Sequence, residues 1–187
     1  MRGPGMTHLF LFIAGSLFLL RVSWRALKNP GVHGFYRFFV FEAILGLVLL
    51  NQPYWFVAPF SAGHILSWIL LAISIVYITQ SLRMLKHHGG QQDRAEMPEN
   101  LPFENTVQVV DAGIYRYVRH PMYASLLFLG WGAYCKHLTL LNSVLVVLMT
   151  AFLVAAARVE EKENIDFFGP EYSAYIKRSK MFIPWLL

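Results

Sequence analysis

The sequence predicts an all-α, polytopic integral membrane protein. Three observations carry that reading: an excess of apolar residues, their grouping into stretches of spanning length, and a one-sided distribution of basic charge. Of the 187 residues, 56% are hydrophobic and 14% charged, against about 45–50% and about 25% in a soluble domain. The mean hydropathy is +0.45. One small domain cannot hide that much apolar surface, so lipid must solvate part of it. Helices are the expected form, because hydrocarbon offers no partner to an unpaired backbone N–H or C=O.

Five apolar stretches follow in order. The first, Thr7 to Leu27, has a charge-free core from Leu9 to Leu20. Arg21, Trp24 and Arg25 close it and no small-residue cleavage pattern follows, so it reads as an anchored helix and not as a removable leader. The second runs from Phe38 to Trp55, the third from Ile65 to Leu85 and the fifth from Leu140 to Ala157. Each approaches the roughly 20 residues that cross about 30 Å of hydrocarbon as helix. The fourth, Met122 to Cys135, has 14 residues and is either a tilted span or one arm of a re-entrant hairpin. The tight Lys136–Thr139 connection pairs it with the fifth as a C-terminal helical hairpin. The expected organisation is one membrane domain, 1–187. Three transmembrane helices occupy 1–85; a polar loop, the hairpin and a partly amphipathic tail occupy 86–187.

Charge sets the orientation. Fourteen of the sixteen Lys and Arg residues fall between stretches one and two, between three and four, or after five; only Arg2 and Lys136 fall elsewhere. Basic residues accumulate in cytoplasmic loops. The expectation is therefore five transmembrane helices with the N-terminus outside and the C-terminus inside, in the inner membrane if the source is bacterial. The net charge of +5 belongs to those loops, which argues against a nucleic-acid partner. Lys177, Arg178 and Lys180 are suited to anionic headgroups. A single cysteine, Cys135, excludes an intrachain disulfide and a cysteine-based zinc site.

Polar side chains concentrate in two places that the hairpin returns to one face. The first is Gly113-Ile114-Tyr115-Arg116-Tyr117-Val118-Arg119-His120-Pro121-Met122-Tyr123. The second is Arg158-Val159-Glu160-Glu161-Lys162-Glu163, followed by Phe168-Gly169-Pro170-Glu171-Tyr172 and Tyr175. A residue before proline avoids the α region and proline favours the first helical position, so His120 sits where loop becomes helix. The unpaired N–H groups of that helix end suit a carboxylate, and Arg119 adds full charge. Tyr115 and Tyr123 offer aromatic faces to a cation, and Glu160 and Glu161 bring negative charge. Such a pocket suits a zwitterion with an extra cationic centre, and S-adenosylmethionine is one.

These strings, covering roughly residues 105–180, resemble the isoprenylcysteine carboxyl methyltransferase family and the related membrane phospholipid methyltransferases. The resemblance implies S-adenosylmethionine as cofactor, S-adenosylhomocysteine as product, and no metal. It implies that Tyr115, His120, Pro121, Met122 and Tyr123 line the cofactor pocket, that Glu160 touches the cofactor and that Glu161 faces the reacting centre. Val107, Gln108, Val109 and Val110 match a segment lying along the cofactor; its usual histidine is Val107 here, so only backbone contacts carry over. The arginine that holds the substrate carboxylate in the carboxyl methyltransferases falls on Ala156. The nearest arginine, Arg158, is two residues on, about 200° round a helix. Glu161, Arg158 and Arg119 are the candidate catalytic residues. The acceptor is a lipophilic or lipidated molecule, with a prenylcysteine-type carboxylate, a lipid amine and a thiol all open, and membrane lipids are the other partner.

Other readings carry less. A transporter or a non-catalytic lipid-binding protein needs polar groups at the midplane, and the spans hold little beyond Glu42, Gln80 and Asn142. Glu42 is expected to pair with an arginine such as Arg37. A membrane metal oxidase needs clustered histidines, and the seven present are scattered; His87 and His88 read as interfacial. Gly130 and Gly132 are expected to let helices approach closely.

Overall fold

The computed structural model describes residues 5–90 and 105–185. Arg2 and Arg94, counted in the charge argument, lie outside that range. The described residues fold into six α-helices: α1 Met6–Ser23, α2 His33–Asn51, α3 Ala62–His88, α4 Pro121–Tyr134, α5 Leu140–Phe168 and α6 Pro170–Arg178. Of these, α1, α2, α3 and α5 are long and apolar enough to cross a membrane. The protein is a membrane-embedded helical bundle. The fourth stretch, counted among five spans, is a 14-residue helix that does not reach spanning length.

The pairs α1–α2, α2–α5 and α3–α4 run antiparallel. On α1 and α2, Ser16 donates to Glu42 (2.7 Å) and His8 bonds Gln52 (3.0 Å). On α2 and α5, buried Asn142 donates to Asn51 (2.7 Å) at one end, while Glu163 accepts from the backbone N–H of His33 (2.9 Å) and bonds its ring Nδ1 (2.6 Å) at the other. A carboxylate at the start of α2 also meets the positive end of that helix. Between α3 and α4, Ser67 donates to the Gly132 carbonyl (2.6 Å) and Ser74 to the Ser125 carbonyl (2.8 Å). With Ser81, these serines form a buried seam repeating every seven residues, small enough to bring two backbones together. Gly132 is required there: a Cβ would lie 2.9 Å from Leu71 Cγ and 3.3 Å from the Leu71 backbone nitrogen.

The core joins α2, α4 and α5 through Val40, Leu47, Ala124, Val146, Met149, Leu153 and Ala156. α1 packs on α2 and leaves Leu9, Phe10, Ile13, Leu17 and Phe18 exposed, an apolar face fit for lipid. Glu42 does not meet the expected arginine. It takes its hydrogen bond from Ser16 and lines an apolar hollow of about 490 Å³ with Phe12, Phe39 and Leu145. Arg37 lines a different cavity, described below, because five residues turn a helix by about 140°.

α5 continues to Phe168, well past the expected apolar end at Ala157, since Glu and Lys are good helix formers once the chain leaves the apolar layer. Its start is capped by Thr139, whose side-chain oxygen accepts from the Asn142 N–H. The extra turns project the acidic residues beside the beginning of α4.

Candidate active site

Four helix ends meet at one pole of the bundle: the starts of α2 and α4 and the ends of α3 and α5. The strip leading into α4 is held there from three sides. Gly113 turns it with φ +58°, a conformation that disfavours side chains, and a Cβ there would lie 2.6 Å from Met84 Sδ of α3. Tyr175 of α6, wholly buried, donates its hydroxyl to the Tyr115 carbonyl (2.6 Å). The tail beyond α6 pairs with the strip in parallel: Lys180 N–H donates to Tyr117 (2.9 Å), Arg119 N–H to Lys180 (2.8 Å) and His120 N–H to Met181 (3.1 Å). α4 then begins at Pro121, with His120 as its cap residue.

Antiparallel packing of α4 against α5 brings the acidic pair to this strip. His120 Nε2 lies 3.2 Å from Glu161 Oε1, and His120 Nδ1 lies 3.9 Å from Glu160 Oε1. Arg119 Nε donates to Glu161, and its Nη1 donates to the Ser179 carbonyl (2.9 Å). Glu160 faces the Tyr123 hydroxyl and feels the charges of His120, His33 and Arg37. Burial holds the hydroxyls of Tyr115, Tyr172 and Tyr175 well above the usual phenol range, so all three stay protonated and neutral.

Between these groups is a cavity of about 380 Å³. Nine of the ten expected cofactor-contacting residues line it: Gln108, Val109, Val110, Tyr115, His120, Pro121, Met122, Tyr123 and Glu160. Val107 does not; its N–H donates to the Gly89 carbonyl (2.9 Å), tying this segment to the end of α3. Among the three candidate catalytic residues only Arg119 reaches the wall, and its guanidinium is turned to Glu161 and Ser179. Glu161 does not line the cavity, because one helical step of about 100° turns it from the space that Glu160 faces. Arg158 is exposed and stands apart from the cavity, while Ala156 is buried in the core.

Sequence reasoning missed other walls. Arg37 and Phe41 enter from α2, Ile78 and Leu82 from α3, Ser125 and Leu126 from α4, and Asn164 from α5. Phe168, Tyr172 and Tyr175, noticed only as part of a motif, also line it. Among the described residues no group of three or more His, Cys, Asp or Glu is arranged to hold a metal ion.

Residues 62–171, more than half of the chain, match the family model described as phospholipid methyltransferase. Methanethiol S-methyltransferase 1 of Bradyrhizobium diazoefficiens is 33% identical over 38% of this chain and 25% of its own length. Methanethiol S-methyltransferase of a Pseudomonas species is 26% identical over 72% of this chain and 51% of its own. Protein-S-isoprenylcysteine O-methyltransferase of Saccharomyces cerevisiae is 34% identical over 63% of this chain and 49% of its own. The chain thus spans between a quarter and about half of the length of these relatives. No solved structure gives a significant match. With its matched segment carrying the α4–α5 pair and the strip that enters it, the chain belongs to the phospholipid methyltransferase family.

Proposed function

We propose that the protein is an S-adenosylmethionine-dependent membrane methyltransferase acting on a lipophilic or membrane-partitioned acceptor. One observation carries the reading: the cavity that joins the 113–123 strip to Glu160 offers opposite charges and aromatic faces within about 380 Å³. The residues fit the methyl donor. The N–H groups opening α4 have no acceptor within the helix and suit its carboxylate. Glu160 suits its cationic groups, and Tyr115 and Tyr123 supply aromatic surface. Gln108, Val109, Val110, His120, Pro121 and Met122 complete the lining around them. When bound, the donor supplies an electrophilic methyl group on a positively charged sulfur.

The chain's own residues orient the reactants and exclude water, which is most of what an in-line displacement asks of a protein. Arg119 and Glu161 position the strip: their ion pair, and the bond of Arg119 to Ser179, lock His120 against the tail. The acceptor classes under this proposal are a thiol, a prenylcysteine-type carboxylate and a lipid amine. The relatives named for methanethiol and for isoprenylcysteine, and the family named for phospholipids, span all three.

The same charge argument as before supports a site on the cytoplasmic side. Lys28, Lys86 and Arg116 cluster at the site's pole, while the other pole carries Lys136, buried over the Trp68 ring. Cys135, beside Lys136, is the chain's one thiol, so an impermeant maleimide reports the topology: labelling from outside is expected, labelling only from inside contradicts it.

The function is tested by transfer of labelled methyl from S-adenosylmethionine, in lipid nanodiscs, to a panel of thiols, prenylcysteines and ethanolamine lipids. Incorporation into one class is expected. No incorporation, together with no binding of millimolar S-adenosylhomocysteine to folded protein, overturns the proposal and leaves the non-catalytic lipid-binding reading.

A further inference from the structure

A second hollow lies on the far side of α2 from the candidate active site. Arg37 and Phe41 turn one face of that helix to the cavity, while Phe39, Glu42 and Gly46 turn another to a space of about 490 Å³ between α1, α2 and α5. No residue lines both. Leu9 of α1 and Leu148 of α5 line the hollow and are still 58% and 47% exposed, so it opens on the lipid side of the bundle. Apart from His8, near one pole, and Glu42, its wall is apolar.

An apolar hollow has no need of an acid, and this acid is deep. Glu42 lies nine residues from either end of α2, so about 13 Å of helix separates it from each pole. A carboxyl group at that depth costs on the order of 3 kcal/mol. Ser16 of α1 offsets part of this by donating its hydroxyl to Oε2 (2.7 Å). Oε1 is buried and has no hydrogen-bond partner, a further cost of about 1–3 kcal/mol. Gly46 stands one turn on along the same wall. A Cβ there would touch only Leu145 Cδ1, at 3.7 Å, so close packing does not demand the glycine. Its effect is to leave open the space next to the acid.

Depth and charge define the ligand that would match. A phospholipid keeps its polar groups at the interface, about 13 Å of helix from Glu42, and its chains carry no donor. An ammonium group must shed its water to reach mid-span, and an isolated charge loses far more there than a hydroxyl does. A hydroxyl is also what already serves Oε2. We propose that the hollow binds a long-chain alcohol dissolved in the membrane, its hydroxyl donating to Glu42 Oε1 and its chain lying between α1 and α5. The site is separate from the cavity assigned to the methyl donor, and it stands or falls independently of the methyltransferase reading.

The test uses the full chain in nanodiscs and a dodecanol with a diazirine in its chain, cross-linked by light and located by peptide mapping. Labelling is expected in α1 and in residues 141–152 of α5. 1-Dodecanol should suppress it at about 10- to 100-fold lower concentration than dodecyl methyl ether, which cannot donate; that is the range of a hydrogen bond to an acid group. In Glu42→Leu the two competitors should become equal. Gly46→Leu keeps the acid and fills the space beside it, so its labelling should fall at least fivefold; it carries the test if the Glu42 variant does not fold. Equal competition by the ether in the wild type would leave a phospholipid chain as the occupant, and stronger competition by dodecylamine would leave an ammonium; either result overturns the inference. Labelling confined to other helices, or wild-type labelling of folded Gly46→Leu, overturns it as well.

Discussion

Replacing Glu160 by Gln removes the one carboxylate that, among the described residues, lines the cavity, while keeping the size of the side chain. His120 Nδ1 lies 3.9 Å from Glu160 Oε1, and a bound cation has room to come as close. Two unit charges about 4 Å apart attract by about 4 kcal/mol at an effective dielectric constant of about 20. His120, His33 and Arg37 already neutralise part of that charge, so a ligand cation feels less than the full amount. A loss of about 1.4–2.8 kcal/mol is expected, or about 10- to 100-fold in Kd. Glu161→Gln acts differently. It leaves Arg119 with the Ser179 carbonyl and a neutral amide, in a pair whose side chains are only 12% and 15% exposed. Breaking a mostly buried pair is felt first as lost stability. Calorimetric titration with S-adenosylhomocysteine, beside thermal unfolding of both variants, separates the two effects. Glu160→Gln should bind at least tenfold more weakly with little change in Tm, and Glu161→Gln should lower Tm. Wild-type affinity in Glu160→Gln would refute the reasoning, because it would mean that Glu160 meets no ligand cation.

Further outcomes follow from the same geometry. Arg158→Ala should leave S-adenosylhomocysteine affinity and methyl-transfer rate within about twofold of wild type, since an exposed side chain away from the cavity has little to lose; a tenfold fall in rate would return Arg158 to the mechanism. Tyr175→Phe deletes a buried hydroxyl and strands the Tyr115 carbonyl, at a cost of about 1–3 kcal/mol. It should lower Tm by several degrees and weaken ligand binding through the displaced strip, and an unchanged Tm would contradict the role given to the tail. Burial raises the phenol groups of Tyr115, Tyr172 and Tyr175, so the folded state resists their ionisation more than the unfolded chain does. The stability they contribute is therefore complete below about pH 10, the unfolded value, and is lost as pH rises beyond it. Tm should fall above that pH in step with the appearance of tyrosinate absorbance, and a flat Tm to pH 11.5 would contradict it.

The helices and one half of the site were legible in the sequence because both are written locally. Apolar stretches of spanning length mark α1, α2, α3 and α5 directly, and the Pro121 boundary follows from the restriction proline places on His120. The strip at 113–123 and the acidic pair each lie within a single run of residues, so their types could be read without knowing the packing. The other half depends on which face of an apolar helix turns inward, and uniformly apolar helices do not reveal it. Arg37 and Phe41 are four residues apart on such a helix, as are Ile78 and Leu82, and nothing nearby distinguishes them from lipid-facing neighbours. The serine seam at positions 67, 74 and 81 did carry a signal, a seven-residue repeat of small residues, that composition alone conceals. Arg158, the arginine nearest to position 156 along the chain, stands apart from the cavity, whereas Arg37 lines it from another helix. The tail's pairing with Tyr117, Arg119 and His120 is non-local in the same way, and no turn or propensity in 179–182 announces it.

The most direct measurement is an experimental structure of the protein with S-adenosylhomocysteine bound. The account predicts the ligand in the cavity between Tyr115, Tyr123 and Glu160, its carboxylate at the start of α4 and its sulfur toward the apolar bay that Arg37 and Phe41 border. Ligand density in the hollow beside Glu42, or at any place out of reach of Glu160, would contradict it.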